Sequence, residues 1–510
     1  MTEHRIGIID IGSNSVRLVV YERTSNGAHR VIDGSKRPAR LSERIDEQGR
    51  LPDEALQELL ETISHFQLIC AHNRVGQIRA VATAAIRNAS NRDDVLEAIR
   101  SETGIAIELL SGEQEASFGF LGMINAMDVQ DGFLVDIGGG STEVSLFLKR
   151  ELIHTVSFPF GCVSLQRRFA GEEEEIGEEA MKSLEQLVLH AAKAVPWLSS
   201  HPSLPLVGVG GTARALGKIH QAAAKYPFTQ THNYPITGES AEELFAELHG
   251  TPLDKRKKAP GLSKDRADVI IPGLAVLKLL YRLLKSSHYR ICGAGLRDGL
   301  FYSTRFPGRP RLSDPLSFSL QNISALHPAA PVQHVMQVNR LSLQLYDELR
   351  PVHLLANRSR VLLDAASTLF RIGASIDYYD YAKHSFYLIV NSRLNGVSHR
   401  EILMIAAIAS YKNKSRVRQQ LSEYKELFGE SDFDVVYKLG SLLQLAVALD
   451  RSETGSIGRL ETSHAGSLLV LDPVRSSGPL TLERREVDGL ASDFKKLWGL
   501  VPALSETDYR

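Results

Sequence analysis

Cysteine is scarce in this 510-residue chain: the three present, Cys70, Cys162 and Cys292, are odd in number and far apart. A disulfide framework is therefore not expected, and a reducing, cytoplasmic setting is. Cys162 and Cys292 read most simply as small core residues. Neither sign of charge is in excess, since 59 Lys and Arg stand against 60 Asp and Glu. A net charge of −1 excludes capture of a polyanion by the field of the whole molecule, so such capture must come from local patches, and no nucleic-acid partner is expected. Long apolar runs are also missing. The longest, near Ile402 to Ala409, is far short of a bilayer span, so no membrane partner is expected. The polar opening Met1 to Arg5 runs directly into a strand pattern, so no signal peptide is expected. Low-complexity tracts are absent apart from Glu172 to Glu175, expected to be a solvated helix start.

What is present is ordinary globular composition, 43% apolar and 23% charged, long enough for three or four domains. Two glycine-punctuated loops stand out. The first is Asp10-Ile11-Gly12-Ser13-Asn14-Ser15 and the second Asp136-Ile137-Gly138-Gly139-Gly140-Ser141-Thr142-Glu143, each flanked by apolar stretches. Each reads as strand, Asp, tight turn, strand. Glycine lets such a turn bring bare backbone N–H groups against an oxyanion, and an Asp beside it suits a hydrated divalent cation. Two such hairpins suggest a duplicated domain closing on a phosphate chain from both sides.

The pattern around them repeats. Strands are expected at 5–10, 15–21, 29–35, 77–82 and 105–110 with helices at 53–73 and 91–102. It restarts with strands at 132–136, 143–148, 151–158, 205–209 and 288–292 and helices at 175–198, 212–224, 239–247 and 265–285. A hairpin followed by βα units, twice over, implies a mixed α/β sheet in each half. Arg305 to Arg311, with two prolines and a glycine, reads as a linker. Residues 315–450 read as helical. In the tail, Ser467 to Leu471 and Leu480 to Arg484 read as strands around Gly478-Pro479, with a helix at 487–498.

Five motifs in order carry a family resemblance: the two loops, Ala82-Thr83-Ala84-Ala85-Ile86-Arg87, Leu110-Ser111-Gly112-Glu113-Gln114-Glu115-Ala116, and Gly295-Leu296-Arg297-Asp298-Gly299. With Gly208-Val209-Gly210-Gly211-Thr212 they resemble the acetate and sugar kinase, actin and heat-shock chaperone superfamily, and within it the exopolyphosphatase and guanosine pentaphosphate phosphohydrolase family. The resemblance implies two ribonuclease H-like (actin-like) domains around a cleft, 1–124 and 125–304. A helical HD-like domain, 315–450, and a small α+β tail, 451–510, would follow.

For the site, Ser111 and Gln114 form a capping-box pattern that places Glu115 in the first turn of a helix at a strand's carboxyl end. A carboxylate there suits a base that aligns an attacking water, the role the resemblance assigns to Glu115. The helix dipole alone also favours acids in a first turn and accounts for Glu113. Asp136 and Glu143 can both face the second loop, and the resemblance gives them a Mg²⁺ ion. Asp136 also reads as a turn-forming Asp, and Asp10 either shares the ion or supports its own loop. Phosphate binding is expected at Ser13, Asn14, Ser15, Thr83, Arg87, Gly138 to Ser141, Gly210, Gly211 and Thr212. Lys255, Arg256, Lys257, Lys258, Lys264 and Arg266 form the densest basic stretch, either a polyanion track or a solvated loop, which Lys412 and Lys414 would extend.

In the helical region His334, His384 and Asp450 stand where the HD fold keeps metal ligands, but Phe370 and Arg371 replace its His-Asp pair. An arginine places a fixed cation where the metal would be, so no metal is expected there and Arg371 is expected to pair with Asp450. The resemblance implies a Mg²⁺-dependent exopolyphosphatase acting on inorganic polyphosphate, or on guanosine pentaphosphate, as a homodimer. A phosphotransferase and a non-catalytic polyphosphate or alarmone sensor are the alternatives.

Overall fold

The computed structural model describes residues 5–170, 175–475 and 479–505, and the chain divides into two compact units. The first runs to Pro315 (Asn26–Ala28 aside) and holds two sheets. In the first lobe β1 (Arg5–Ile11), β2 (Ser15–Arg23) and β3 (His29–Pro38) form an antiparallel meander. Helix α1 (Asp53–His72) leads to β4 (Gln77–Ala82), and α2 (Arg92–Thr103) to β5 (Ile107–Leu109), both parallel to β1. The strand order is β3-β2-β1-β4-β5. On α1, Leu59, Ile63, Phe66 and Cys70 recur every three or four residues and are buried in the first lobe's core.

Helix α3 (Gly112–Ile124) leaves this lobe for the second, whose meander is β6 (Gly132–Ile137), β7 (Thr142–Leu148) and β8 (Glu151–Phe158). Then come α4 (Cys162–Phe169), α5 (Glu178–Lys193), β9 (Leu206–Val209), α6 (Gly210–Ala223), β10 (Tyr234–Ile236), α7 (Ile270–Leu283) and β11 (Tyr289–Ile291). Read from β8, the order is β8-β7-β6-β9-β11, the order of the first lobe, with β10 added antiparallel at the edge. The duplication expected from the two loops is thus a duplication of topology.

Helix α8 (Leu296–Arg305) returns to the first lobe, stacking Phe301 on Tyr21 with ring centres 4.1 Å apart. It crosses α3 so closely that a Cβ at Gly122 would lie 2.1 Å from Gly295 O, and one at Gly299 1.9 Å from Phe118 O. The linker expected at 305–311 is pinned to this unit: Asn125, fully buried, donates to Pro310 O at 2.7 Å and accepts from Leu312 N at 2.8 Å.

The second unit comprises Asn26–Ala28 and residues 316–510. Its helices include α9 (Val332–Glu348), α10 (Asn357–Leu369), α11 (Tyr381–Asn391), α12 (His399–Ala409) and α13 (Glu430–Ala448). The tail follows as β12 (Ile457–Ala465), β13 (Leu468–Arg475), α14 (Thr481–Trp498) and β14 (Val501–Leu504), one three-stranded sheet. The tail belongs to the same unit, and Trp498 Nε1 donates to Ser441 Oγ on α13 at 2.8 Å.

Several expectations change. Leu480 to Arg484 is no strand: Thr481 opens α14, whose apolar positions Val487, Phe494 and Trp498 follow helical spacing. Gly478 and residues 172–174 lie outside the described residues. Glu175 precedes its helix, which starts at Glu178, and pairs with Arg256. Helix α4 and strand β10 were not expected at all. The cysteines are all free and buried. Among the described residues no helix is long and apolar enough to cross a membrane.

Candidate active site

Both hairpin tips close with the same bond: Gly12 N donates to Ser15 O at 3.2 Å, and Gly138 N to Ser141 O at 2.9 Å. They meet, since a Cβ at Gly139 would lie 2.9 Å from Ser13 Cβ. Helix α4 holds the second loop, its first amides, Cys162 and Val163, donating to the carbonyls of Gly138 and Gly139 at 2.9 Å. Between the lobes is a cavity of about 130 Å³ onto which α6 and α8 point their N-termini, ends that favour anions.

The register decides which carboxylates face each other. Asp136 on β6 is the direct cross-strand partner of Glu143 on β7, so the two share a face. At the equivalent place in the first lobe Asp10 faces Arg17. Asp136 borders the cavity; Glu143 is buried behind it, accepting from Ser157 Oγ at 2.8 Å. The φ of +74° at Gly210 lets α6 begin against Asp136, where a Cβ would lie 2.1 Å from Oδ1.

Glu115 reaches the same cavity from α3. The expected capping box forms: Gln114 N donates to Ser111 Oγ at 3.1 Å and Ser111 N to Gln114 Oε1 at 2.8 Å. Gly112 then permits close approach to β8, because a Cβ there would lie 2.4 Å from Ser157 Cβ. Ser157 thus touches both α3 and Glu143, bringing Glu115 and Glu143 together. Arg87 Nη1 donates to Leu110 O at 2.8 Å and to Glu115 Oε2 at 3.2 Å. Arg87 therefore holds the carboxylate and is not on the cavity wall.

Of the other expected phosphate-binding residues, Ser13, Asn14, Ser15, Thr83, Gly138, Gly139, Ser141, Gly210 and Gly211 line the cavity. Thr212 turns inward, donating to Ile137 O at 3.5 Å, and Gly140 packs on Ser13 and Ser42. In the basic stretch only Arg266 reaches the cavity, lying flat on Gly211, where a Cβ would be 2.0 Å from Nη2. Arg256 is a structural residue, 1% exposed, bonded to the carbonyls of Leu248, Thr251 and Ala267 and to Glu175. Lys255, Lys257, Lys258 and Lys264 are exposed. Lys412 and Lys414 belong to the helical unit.

Sequence reasoning gave no role to Arg17, Arg214 or Arg297, although Arg297 lies in the motif Gly295 to Gly299; all three line the cavity with Arg266. One signal was available: Arg214 follows directly on the first turn of α6, near a helix end where the dipole disfavours a cation unless an anion is near. The electrostatics are unsettled on both sides. Burial pushes Asp136 up to about 6, against the pull of Arg214 and with the push of Asp10. Burial likewise raises Asp10, opposed by Arg297. Glu143 is raised by burial and Asp136, and Glu115 well above its ordinary value by burial and Glu143. Arg17 is pushed down to about 10 by burial and by Arg297 and Arg214. Acids and bases alike are held against their charged forms, the state of a site built around ions of both signs.

Among the described residues no three acid, imidazole or thiol groups converge as a metal cage. An acid pair without a cage suits Mg²⁺, which binds through one or two carboxylates together with phosphate oxygens and water. The donor set fits.

In the helical unit the expected Arg371–Asp450 pair does not form. Asp450 is satisfied by His334 Nδ1 at 2.8 Å and by the Gly455 amide at 2.9 Å, while Arg371 pairs with Glu453. His384 lies on α11.

The pattern of the Ppx/GppA phosphatase family matches residues 19–305, and that of Ppx/GppA phosphatase, domain III, matches residues 326–467. Exopolyphosphatase 1 of Mycobacterium bovis is 30% identical over 302 residues, 58% of this chain and 87% of that protein. The crystal structure of the Aquifex aeolicus Ppx/GppA family member is 26% identical with a TM-score of 0.52, covering 60% of this chain and 99% of its own. An exopolyphosphatase structure from Cytophaga hutchinsonii, 22% identical with a TM-score of 0.56, covers 60% of this chain and all of its own and shares the fold. With the loops, the duplicated topology and these matches together, the chain belongs to the Ppx/GppA phosphatase family.

Proposed function

We propose that this protein is an exopolyphosphatase, hydrolysing the terminal phosphoanhydride of inorganic polyphosphate to release orthophosphate. The observation that carries the reading is the cavity itself, where four arginines, the amides of the two glycine loops and the N-termini of α6 and α8 converge. Its wall also holds Asp10, Glu115, Asp136 and Asp298, a lining for phosphate and its counter-ion rather than for an apolar ligand. The terminal phosphate lies between the two loops, its oxygens received by Arg17, Arg214, Arg266 and Arg297 and by the N-termini of α6 and α8. Glu115, oriented by Arg87, aligns a water for in-line attack and accepts its proton. Asp136 and Glu143 would hold Mg²⁺, which would supply neutralisation of charge on the phosphoryl oxygens. Asp10, already balanced by Arg17 and Arg297, supports the first loop. Closure of the lobes excludes bulk water from the reacting atoms.

Guanosine pentaphosphate ends in the same linkage and is the second substrate to test. Phosphate release is measured from long-chain polyphosphate and from guanosine pentaphosphate, with and without Mg²⁺, beside Glu115→Gln. The expected result is Mg²⁺-dependent release that falls about 10²- to 10⁴-fold in the variant. Undiminished release by Glu115→Gln, or none from either substrate by the unaltered chain, rejects the assignment.

A further inference from the structure

The helical unit contains a cavity of about 470 Å³ that the proposed hydrolysis does not use. It lies over Phe370 and Arg371, the residues that replace the His-Asp pair of the HD fold, and the ends of α12 and α13 contribute to its wall. We propose that it binds a purine nucleotide.

The lining charges argue first about what the occupant is not. Each cation there has an acid beside it: Arg371 has Glu453, Lys412 has Asp380 at 3.6 Å, and Arg451 has Glu486 at 3.6 Å. Three cations against three acids leave no surplus to select a bare polyanion such as polyphosphate. The Lys412 and Arg451 pairs have more than half of each side chain exposed, so they are weak and exchangeable for ligand groups.

What the cavity leaves unmatched is aromatic surface and one buried donor. Tyr378 is 62% exposed and Tyr379 80%, rings that a flat ligand would cover. The Arg371 guanidinium lies 6.0 Å from the Tyr378 ring centre and 5.6 Å from that of Tyr381. Its side chain is 10% exposed, and its Nε is buried with no acceptor. A purine supplies the complement. Its π-face stacks on tyrosine, its ring nitrogens accept from an arginine, its exocyclic N–H groups reach carboxylates, and its phosphate takes Lys412 or Arg451. The volume is within the range of small-molecule sites, roughly 300–1,000 Å³.

The probes are guanosine 5′-monophosphate and adenosine 5′-monophosphate, which contain no phosphoanhydride and so are not substrates of the proposed reaction. Binding to the full chain is measured by calorimetry, with ribose 5-phosphate as the control lacking a base. The expected result is saturable binding of at least one nucleotide, no binding of the control, and no displacement by long-chain polyphosphate. Tyr379→Ala, an exposed position that leaves the fold intact, and Arg371→Lys should each weaken binding about tenfold or more. Phosphate release should not change in Tyr379→Ala, which keeps this test separate from that of the hydrolysis. No nucleotide binding overturns the proposal. So does binding that polyphosphate displaces, or that Tyr379→Ala leaves unchanged.

Discussion

Asp136 and Asp10 occupy the same place in two copies of one hairpin but face opposite partners. Asp10 has an arginine across the strand pair and Asp136 has a second carboxylate, so the two hairpins play different parts. Like charges directly opposite are destabilising unless something lies between them. With its pKa raised from 3.8 to about 6, Asp136 binds its proton more tightly in the folded state. The folded state therefore loses stability as pH rises from about 4 to about 6. Asp136→Asn should then stabilise the metal-free protein at pH 7 by roughly 2 kcal/mol, after allowing for water at the cavity wall, and so raise its melting temperature. It should leave stability unchanged below about pH 4, while Mg²⁺ binding and phosphate release are lost. Melting curves at the two pH values, with and without Mg²⁺, check this, and equal destabilisation at both contradicts it. The aspartates and Glu115 were visible in the sequence because their loops and capping pattern are local. Arg17 and Arg214 were not, because the cavity they enter forms only when the two lobes meet.

Helix α3 shows how one element sets the site. It contains three glycines whose surroundings differ: Gly112 against Ser157, Gly119 with open space, and Gly122 against the backbone of Gly295. Gly119→Ala should stabilise the protein by about 0.5–1 kcal/mol, since alanine is the better helix former and nothing opposes its methyl group. Gly122→Ala should destabilise by more than about 2 kcal/mol, because a methyl group 2.1 Å from a carbonyl oxygen must separate α3 from α8. Urea unfolding of the two variants tests the pair, and similar effects at both positions would remove the close-packing argument. Strands β1 to β9 and helices α1 to α3 were legible from alternation, periodicity and caps. The short elements α4 and β10 escaped. A helix of eight residues and a strand of three carry too little pattern to register, and contacts from the rest of the lobe hold them.

At the scale of the molecule, the two lobes of the first unit are tied beside the cavity by charges drawn from both. Arg40 Nη1 pairs with Asp268 at 2.6 Å, Lys36 pairs with Asp265, and Arg167 on α4 donates to Ile45 O at 2.8 Å. Arg266 stands between the two aspartates, so these ties also aim it into the cavity. Asp268→Asn should raise KM for polyphosphate about three- to tenfold with a smaller change in kcat, the effect of losing about 1 kcal/mol of closure. Steady-state kinetics at low and high salt check this: the unaltered protein should approach the variant as salt screens the pair. A fall in kcat alone would place Asp268 elsewhere in the mechanism.

The sequence by itself determined most of the longer elements, the duplicated hairpins, the candidate base with its cap, and the family, because each depends on neighbours within a few residues. Tertiary structure decided which charges meet. Register placed Glu143 opposite Asp136 and Arg17 opposite Asp10, and Gly112 and Gly210 let backbone approach where a side chain would have intervened. It turned Arg256 inward and gave Asp450 to His334 instead of Arg371. Electrostatic pairing depends on distance and burial in space, and sequence separation carries neither.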